Sequence, residues 1–484
     1  MPGDATADST LETLRRAWDA RELRRFARAC GDLAVRELTQ DGRGPVRAPD
    51  FERRARRLLA ARPGGGAAAA PARLAQLIAA SLHQSHPCAM AQQIPAPVPL
   101  AALAESVTAA LNQSIAVWDM SPAGTLVDRE VMRRFRRLLG YPAAASGTFT
   151  PGGSFANLTA LLAARAALAP RAWRRGGGSI GILAGAQTHY SIARAAGILG
   201  LGADRVFAIP TDAAHRTDPA AVDAAAARAR RAGCRRLILV ATSGSTSTGS
   251  FDDLAALAAA ARRLGAWLHV DAAHGGGLAF SRRLKPLLRG IGQADSIAFD
   301  PHKMMFMPLS AGAVLVRRGA ALRGAFEQHA PYLFRPYPAP VADVGPFTLA
   351  CSQRFEALKV WLVWQAYGPE LFAAMAESAC DAAQAAFHRC LASPRFEPAH
   401  RPQSNIFCFR LRRPPRAARA ADRLHWRIME AVNAGGQAYL SSTVLDGRRC
   451  LRLVAMNPRS RPAHAARVLA AAERAAQGLG AAAQ

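Results

Sequence analysis

Between residues 146 and 320, short apolar runs rich in β-forming residues alternate with long Ala- and Leu-rich stretches of helical periodicity. This alternation is typical of a mostly parallel sheet with helices on both faces, because each helix returns the chain to the same edge of the sheet. The predicted strands are Ser179–Leu183, Arg205–Ile209, Arg236–Ala241, Ala266–Val270, Ser296–Phe299 and Gly312–Val316. The predicted helices between them are Tyr190–Leu199, Pro219–Ala232 and Phe251–Leu264. Such sheets bind ligands beyond the carboxyl ends of their strands, so functional residues are expected in the loops that follow the strands.

The sequence on either side of this alternating region has a different pattern. Before residue 86, Arg-rich helical stretches are interrupted at Gly42-Arg43-Gly44-Pro45. After about residue 370, the predicted elements are helices at Glu370–Leu391, at 418–433 and at the end of the chain, and strands at Asn405–Leu411, Gln437–Ser442 and Arg449–Ala455. We therefore predict a helical segment over 1–85, a large domain over 86–369 and a smaller α+β domain over 370–484.

The net charge of +28 comes from 62 basic and 34 acidic residues. A positive field attracts nucleic acids and anionic membranes, but nucleic-acid-binding proteins concentrate their charge on one element. Here the arginines are scattered as doublets on predicted helix faces, for example Arg133-Arg134 and Arg262-Arg263. A solvated surface is therefore favoured, with no nucleic acid and no membrane as partner. A basic nucleic-acid-associated protein stays open as a remote alternative.

The cysteine pattern and the chain start indicate the cellular compartment. The eight cysteines form no CxxC pair and no Cys/His cluster at metal-ligand spacing, so we expect no metal site and free thiols in a reducing environment. No apolar run reaches ~18 residues without a charge, so no membrane span is expected. The start, MPGDATADST, is polar and acidic, unlike a signal peptide. We therefore expect a cytoplasmic protein.

Candidate functional groups follow several of the predicted strands. Gly152-Gly153-Ser154 precedes a helical stretch, and a helix N-terminus with free N–H groups and a hydroxyl suits a phosphate; the alternative is a flexible loop capped by the serine. Asp271 ends an apolar strand before the small Ala273, which suits a carboxylate paired with a pyridinium nitrogen or, equally, a helix N-cap. Lys303 has apolar neighbours and could form a Schiff base, whereas an ordinary surface lysine is the alternative. His189 lies in another strand-to-helix loop, where a lone histidine is more often a helix-terminal residue.

In combination these features resemble the group II pyridoxal-phosphate-dependent decarboxylases, which include glutamate, aromatic amino-acid, cysteine sulfinate and 2,4-diaminobutyrate decarboxylases. The resemblance runs from about His86 to the C-terminus. Its further matching stretches are His86-Pro87, Asn112-Gln113-Ser114, Trp118–Pro122, Thr242–Asp252, VDAAHGG, DPHKMM and Arg354–Lys359. It implies the α/β, aspartate-aminotransferase-like fold type I of these enzymes, pyridoxal 5′-phosphate as cofactor, and decarboxylation of an L-amino acid to an amine and CO2. It also implies a homodimer that the N-terminal segment helps to clasp.

The resemblance assigns roles around the cofactor ring. Lys303 would form the Schiff base with the cofactor, and Asp271 would pair with the pyridine nitrogen. His189 would stack on the ring face opposite Ala273, and Thr246 would lie beside the cofactor.

Other residues are assigned to the phosphate and to proton transfer. By resemblance, Gly153, Ser154 and Ser296 would hold the phosphate, and His302 would tune proton transfers. Asp300 is left unassigned, because some family members have Asn there facing the phosphate and a carboxylate in that role would be repelled.

The segment Gly324–Leu333 resembles the family's mobile active-site loop, which reaches the neighbouring subunit's site. Tyr332 falls where that loop carries the tyrosine thought to protonate the substrate Cα after CO2 leaves. Relatives that form aldehydes tend to lack this tyrosine or the stacking histidine. Simple decarboxylation is therefore favoured over the alternatives, an aldehyde-forming decarboxylating oxidase or another carbon–carbon or carbon–sulfur lyase.

Two residues bear on the substrate. Aromatic-acid decarboxylases have aromatic residues near Gln92, whereas glutamate and cysteine sulfinate decarboxylases resemble this chain there. Arg452 matches an arginine that can meet a substrate carboxylate, for which a planar guanidinium is well suited, and a structural salt bridge is the equally weighted alternative. The stretch Trp118–Pro122 looks more like diaminobutyrate-type enzymes. We therefore expect a small polar or acidic amino acid as substrate.

Overall fold

In the computed structural model of the chain, residues 12, 15, 17–60, 66–176, 178–326, 330–335, 337 and 343–481 are described. The chain start that was compared with a signal peptide lies outside these ranges. The centre is a seven-stranded sheet in the order β1-β7-β6-β5-β4-β2-β3. Its strands are β1 (Ser146–Thr150), β2 (Ile180–Gly185), β3 (Val206–Ile209), β4 (Arg236–Thr242), β5 (Trp267–Ala272), β6 (Ser296–Phe299) and β7 (Gly312–Val316).

The register of this sheet is mostly parallel, as predicted. Strands β2 to β6 pair in parallel, and β7 is antiparallel to both β6 and β1. Because β1 and β6 are both antiparallel to β7, they run in the same direction. The carboxyl ends of β1, β2, β4, β5 and β6 therefore meet at one edge. The strand β1 was not predicted, because its polar Ser-Gly-Thr start reads as part of the glycine-rich turn that follows it.

Helices cover both faces of the sheet because its strands are apolar on both sides. In β4, Leu237 and Leu239 face one core, and Ile238 and Val240 face the other. The helices of the chain are α1 (Ala20–Leu38), α2 (Phe51–Leu59), α3 (Gly66–Ala79), α4 (Pro99–Leu111), α5 (Pro122–Leu138), α6 (Gly153–Leu168), α7 (Ala172–Arg175), α8 (Ser191–Ile198), α9 (Val222–Arg231), α10 (Leu254–Leu264), α11 (Gly319–Arg323), α12 (Ala357–Leu391), α13 (Ala418–Ala434) and α14 (Pro462–Ala481). Residues of α5, α9, α10 and α12 line the first core, and residues of α6, α8 and α11 line the second.

A second, four-stranded antiparallel sheet lies in the C-terminal part of the chain, in the order β10-β11-β9-β8. Its strands are β8 (Phe396–Pro398), β9 (Ile406–Leu411), β10 (Ser441–Leu445) and β11 (Arg448–Val454). The predicted strand Gln437–Ser442 begins four residues later in the structure. The long helix α12 breaks at Gly368, whose φ of 69° is left-handed, next to Pro369. The break adjoins the predicted boundary at 369/370, which stays a prediction.

Before residue 86, the described residues include the helices α1, α2 and α3. In α1 and α2 no residue is buried, and apolar side chains such as Trp18 and Leu59 are 72% and 84% exposed. Residues Cys88–Met90, by contrast, pack into the core of the C-terminal sheet. None of the described helices is long and apolar enough to cross a membrane.

Candidate active site

A cavity of about 380 Å³ opens at the edge where the carboxyl ends of the strands meet. Eight of the predicted site residues line it: Gly153, Ser154, His189, Thr246, Asp271, Ala273, His302 and Lys303. They follow five different strands, so the parallel register brings together residues that are 150 positions apart in sequence. The cavity walls also include Asn157, Thr242 and His274, to which the sequence pattern gave no role.

Lys303 lies in the turn after β6. Its Nζ is 3.1 Å from Asp300 Oδ2, and its side chain is 20% exposed, so the amine is held by a carboxylate but open to the cavity. His302 Nε2 is 3.6 Å from the same carboxylate oxygen. Burial lowers the pKa of His302, with the Asp300 charge opposing this shift, so the neutral imidazole is favoured near pH 7.

Asp271 is nearly buried at the end of β5, where it pairs in register with Thr242 of β4 and Ala298 of β6. Its Oδ1 accepts a hydrogen bond from the Ala273 backbone N–H at 3.1 Å, and its Oδ2 accepts one from Asn157 Nδ2 at 2.8 Å. Two donors stabilise an ionised carboxylate. The site thus holds a negative charge ready for a cationic group in the cavity.

His189 stands before α8 and also lines the cavity. Its Nδ1 is 2.8 Å from Ser191 Oγ, and burial lowers its pKa. Ala273 forms part of the cavity wall and has no side chain beyond Cβ. An imidazole and a methyl group are therefore both available to contact a flat ligand in the cavity, and their placement on its opposite faces stays a prediction.

Gly153 and Ser154 form the first turn of α6 and both line the cavity, and the N-terminus of a helix favours an anion such as a phosphate. Gly152 precedes them with φ 138°, a conformation that favours glycine. The Gly153 N–H donates to Asp300 Oδ2 at 3.0 Å. A Cβ on Gly153 would lie 2.7 Å from that oxygen and 2.9 Å from Ala273 Cβ, so glycine is required for this close approach.

The prediction that Ser296 holds the phosphate is wrong. Ser296 is the first residue of β6, whereas the cavity lies beyond the last, roughly 10 Å further along a strand of this length. Its side chain is fully buried, and its Oγ is 2.9 Å from Trp267 Nε1 and 3.0 Å from His269 Nδ1. Ser296 begins this strand, so the length of the strand separates it from the cavity.

Three further predicted residues do not line the cavity. Tyr332 is 86% exposed in a segment of which residues 327–329 lie outside the described residues. Gln92 is also exposed. Arg452 is buried in β11, where its Nη1 donates to Ala91 O and to Ser441 Oγ, each at 3.0 Å. The roles of these residues stay predictions.

The cavity residues fit pyridoxal phosphate, which carries an aldehyde, a phosphate and a pyridine nitrogen. An amine, a helix N-terminus and an ionised carboxylate line one cavity. Two buried polar atoms in its wall also lack a hydrogen-bond partner within the described chain: Thr242 Oγ1 and His274 Nδ1. When bound, the cofactor supplies a protonated aromatic ring that accepts the electron pair left by a departing CO2.

A mostly parallel sheet with a lysine, a ring-pairing aspartate and an anion-binding helix terminus at one edge defines a fold type I pyridoxal-phosphate enzyme. Residues 72–412 match the pyridoxal-dependent decarboxylase conserved domain. The chain therefore belongs to the group II pyridoxal-phosphate-dependent decarboxylase family, and it is an amino-acid decarboxylase.

Named relatives agree with this assignment. The chain is 36% identical over 395 residues to L-2,4-diaminobutyrate decarboxylase of Rhizobium meliloti, covering 79% of this chain and 77% of that protein. It is 35% identical over 294 residues to cysteine sulfinic acid decarboxylase of Rattus norvegicus, covering 60% of this chain and 59% of that one. The crystal structure of mouse CSAD in its apo form superposes with a TM-score of 0.87 at 26% identity, covering 94% of this chain and 98% of that chain.

Proposed function

We propose that the chain decarboxylates a small L-amino acid with an acidic or polar side chain, and that it does so as a homodimer. The observation that carries the substrate proposal is the environment of Arg452. The residue is 5% exposed, and among the described residues no carboxylate lies within ion-pairing distance of its guanidinium. A buried cation without a counter-ion is costly, so a ligand carboxylate is a fitting partner.

The position of Arg452 supports the same proposal. Its hydrogen bond to Ala91 O places it beside Gln92, the other residue that the family resemblance assigns to the substrate. The charge of Arg452 also contributes, after burial and Lys303, to lowering the pKa of His274 to about 3. Since His274 lines the cavity, Arg452 lies within electrostatic reach of its wall.

The residues around the cavity support defined roles in the reaction. Lys303 would present the amine that holds the cofactor and would give way to the substrate amine. Asp271 would pair with the pyridine nitrogen, and His189 and Ala273 would lie against the ring. Gly153 and Ser154 receive the phosphate. Tyr332 returns a proton to the substrate Cα once CO2 has left, which requires its segment to close over a site.

The homodimer proposal rests on the N-terminal helices. In α1, Leu23 and Val35 are each 46% exposed, although the helix has one apolar and one charged face. The helix α1 packs against α3 within the chain, but none of its residues is buried there, so packing by a second copy would stabilise it further. A second copy of the chain supplies that packing and brings the lid that carries Tyr332 towards its partner's cavity.

The experiment is a CO2-release screen over the amino acids with the purified, cofactor-loaded protein, combined with light scattering for the mass. We expect activity on aspartate, glutamate, cysteine sulfinate or 2,4-diaminobutyrate, amine as product, and the mass of a dimer. Substantial decarboxylation of tyrosine with none of these four would overturn the substrate proposal. Peroxide and aldehyde in place of amine would identify an oxidase, and a monomer that is fully active would overturn the dimer.

A further inference from the structure

A chain of buried hydrogen bonds leads away from the cavity beneath Asp271. Asn157, in the second turn of α6, is 1% exposed. Its Nδ2 is 2.8 Å from Asp271 Oδ2 and 2.9 Å from Ser191 Oγ, and its Oδ1 is 2.9 Å from His269 Nε2. One carboxamide thus contacts three polar side chains.

The chain continues below His269 and ends at a tryptophan. His269 Nδ1 is 3.0 Å from Ser296 Oγ, and Ser296 Oγ is 2.9 Å from Trp267 Nε1. All three residues are buried, and burial lowers the pKa of His269 to about 4. The imidazole is therefore neutral near pH 7 and carries one proton.

In this series of hydrogen bonds, only one assignment of donors and acceptors satisfies every group. An ionised Asp271 accepts only, so the Asn157 amide must turn Nδ2 towards it and Oδ1 towards His269. His269 then donates from Nε2 and accepts at Nδ1. Ser296 donates its hydroxyl proton to that nitrogen and accepts the indole N–H of Trp267, which is a donor only.

A branch of the same series of hydrogen bonds determines the tautomer of His189. The second Nδ2 proton of Asn157 goes to Ser191 Oγ, so the Ser191 hydroxyl donates to His189 Nδ1 at 2.8 Å. The backbone N–H of Ser191 lies 3.3 Å from the same nitrogen. Because His189 Nδ1 is an acceptor, the single proton of the neutral ring lies on Nε2.

We propose that Asn157 is a positioning residue that holds the Asp271 carboxylate through its Nδ2 donor and sets the tautomer of His189, and that His269 and Ser296 hold its carboxamide in the required orientation. The reverse orientation would place the amide oxygen against the Asp271 carboxylate at 2.8 Å and leave two acceptors facing each other. This inference rests on the proposed function, since it concerns the same cavity, but it is testable by cofactor binding without any substrate.

The test compares cofactor dissociation constants of apo-protein variants across pH, each as a ratio to wild type. Asn157→Leu removes both donors, and we expect roughly tenfold to hundredfold weaker binding at every pH, as for a lost hydrogen bond to a charged group. Asn157→Asp replaces only the side-chain NH2 group, by an oxygen. Two carboxyl groups at this distance share a proton at low pH, so the acid can still donate to Asp271. Its affinity should approach wild type at low pH and fall as the pH rises.

Controls separate positioning from folding. Asn433, buried in α13, pairs with the Leu440 backbone N–H and C=O at 3.0 Å each and lies outside the cavity lining. Asn433→Leu should lower the melting temperature and leave the cofactor dissociation constant unchanged. Ser191→Ala cuts the branch to His189 alone, so kcat should fall while cofactor binding changes by less than about threefold.

If the Asn157 variants do not fold, Ser296→Ala is measured in their place. It removes the hydroxyl that donates to His269 Nδ1, so either tautomer of His269 becomes possible and cofactor binding should weaken several-fold. Cofactor binding equal to wild type in the folded variants at every pH would overturn the positioning role, whatever the enzyme decarboxylates. A wild-type protein that binds the cofactor but releases no CO2 would overturn the proposed function and leave this result standing.

Discussion

The two ends of the active site are built differently. At the cofactor end, residues from five strand ends of one sheet line a single cavity. At the substrate end, Gln92, Tyr332 and Arg452 come from three separate segments, and none of them lines that cavity. A parallel sheet assembles the first end by its register, whereas under the proposed function the second would depend on how the Tyr332 segment, the C-terminal sheet and a second subunit come together.

The residues proposed to hold the cofactor therefore lie in a different part of the molecule from those proposed to select the substrate. The groups proposed to hold the cofactor lie at or just beyond the ends of central strands. The groups proposed to select a substrate lie outside the central sheet. Substitutions at the two ends should therefore affect different measured quantities.

The largest effect is expected for Lys303→Ala, at the cofactor end. Loss of the amine removes the covalent hold on the cofactor, so decarboxylation should fall by at least ~10³-fold and the visible absorbance of the bound cofactor should disappear. Absorbance and CO2 release measure this. Lys285→Ala is the matched control, because Lys285 is an exposed lysine outside the cavity lining. Visible absorbance that survives in Lys303→Ala would assign the attachment elsewhere.

A smaller but still large effect is expected for Tyr332→Phe, at the substrate end. Removing a general acid should lower kcat by roughly 10²- to 10⁴-fold, with the cofactor dissociation constant unchanged. Equal loss of cofactor binding would contradict the division between the two ends.

Mixed dimers show which subunit Tyr332 serves. When Lys303→Ala and Tyr332→Phe chains are combined, a lid that acts across the dimer gives one site with both the lysine and the tyrosine intact. Activity should then return to about half the wild-type value per mixed dimer. No recovery would mean that each lid serves its own chain.

Much of the cofactor end was predictable from the sequence because it depends on short local motifs. Gly153, Asp271 and Lys303 each follow a strand, and parallel strands end at the same edge. The Ser296 prediction failed because the predicted strand Ser296–Phe299 already begins at this residue, whereas ligands of such sheets bind beyond the carboxyl end of the strand. Asn157 and His269 were missed since a helix interior and an apolar strand give no signal of a hydrogen bond between them. The substrate end was not predictable because it depends on contacts between distant segments.

An intermediate effect is expected for Arg452→Gln. If Arg452 meets a substrate carboxylate, the KM for acidic amino acids should rise roughly tenfold to a hundredfold, with little change in kcat or in cofactor binding. Because the substitution also removes a buried charge without a counter-ion, the melting temperature should stay the same or rise. A fall in melting temperature with unchanged KM would show a purely structural arginine.

The smallest effect is expected for Asp300→Asn, which tests whether the Asp300 carboxylate repels the phosphate of the cofactor. Asp300 Oδ2 accepts the Gly153 N–H at 3.0 Å, and Oδ1 is buried without a partner, so a carboxylate faces the place where a phosphate is expected. Asparagine of the same shape can keep the acceptor and offers an N–H in place of the second oxygen. Removing the repulsion should tighten cofactor binding by roughly threefold to tenfold at moderate ionic strength, and the gain should shrink as salt is added. Weaker binding would mean that the Asp300–Lys303 pair, at 3.1 Å, holds the lysine for the cofactor and outweighs the repulsion.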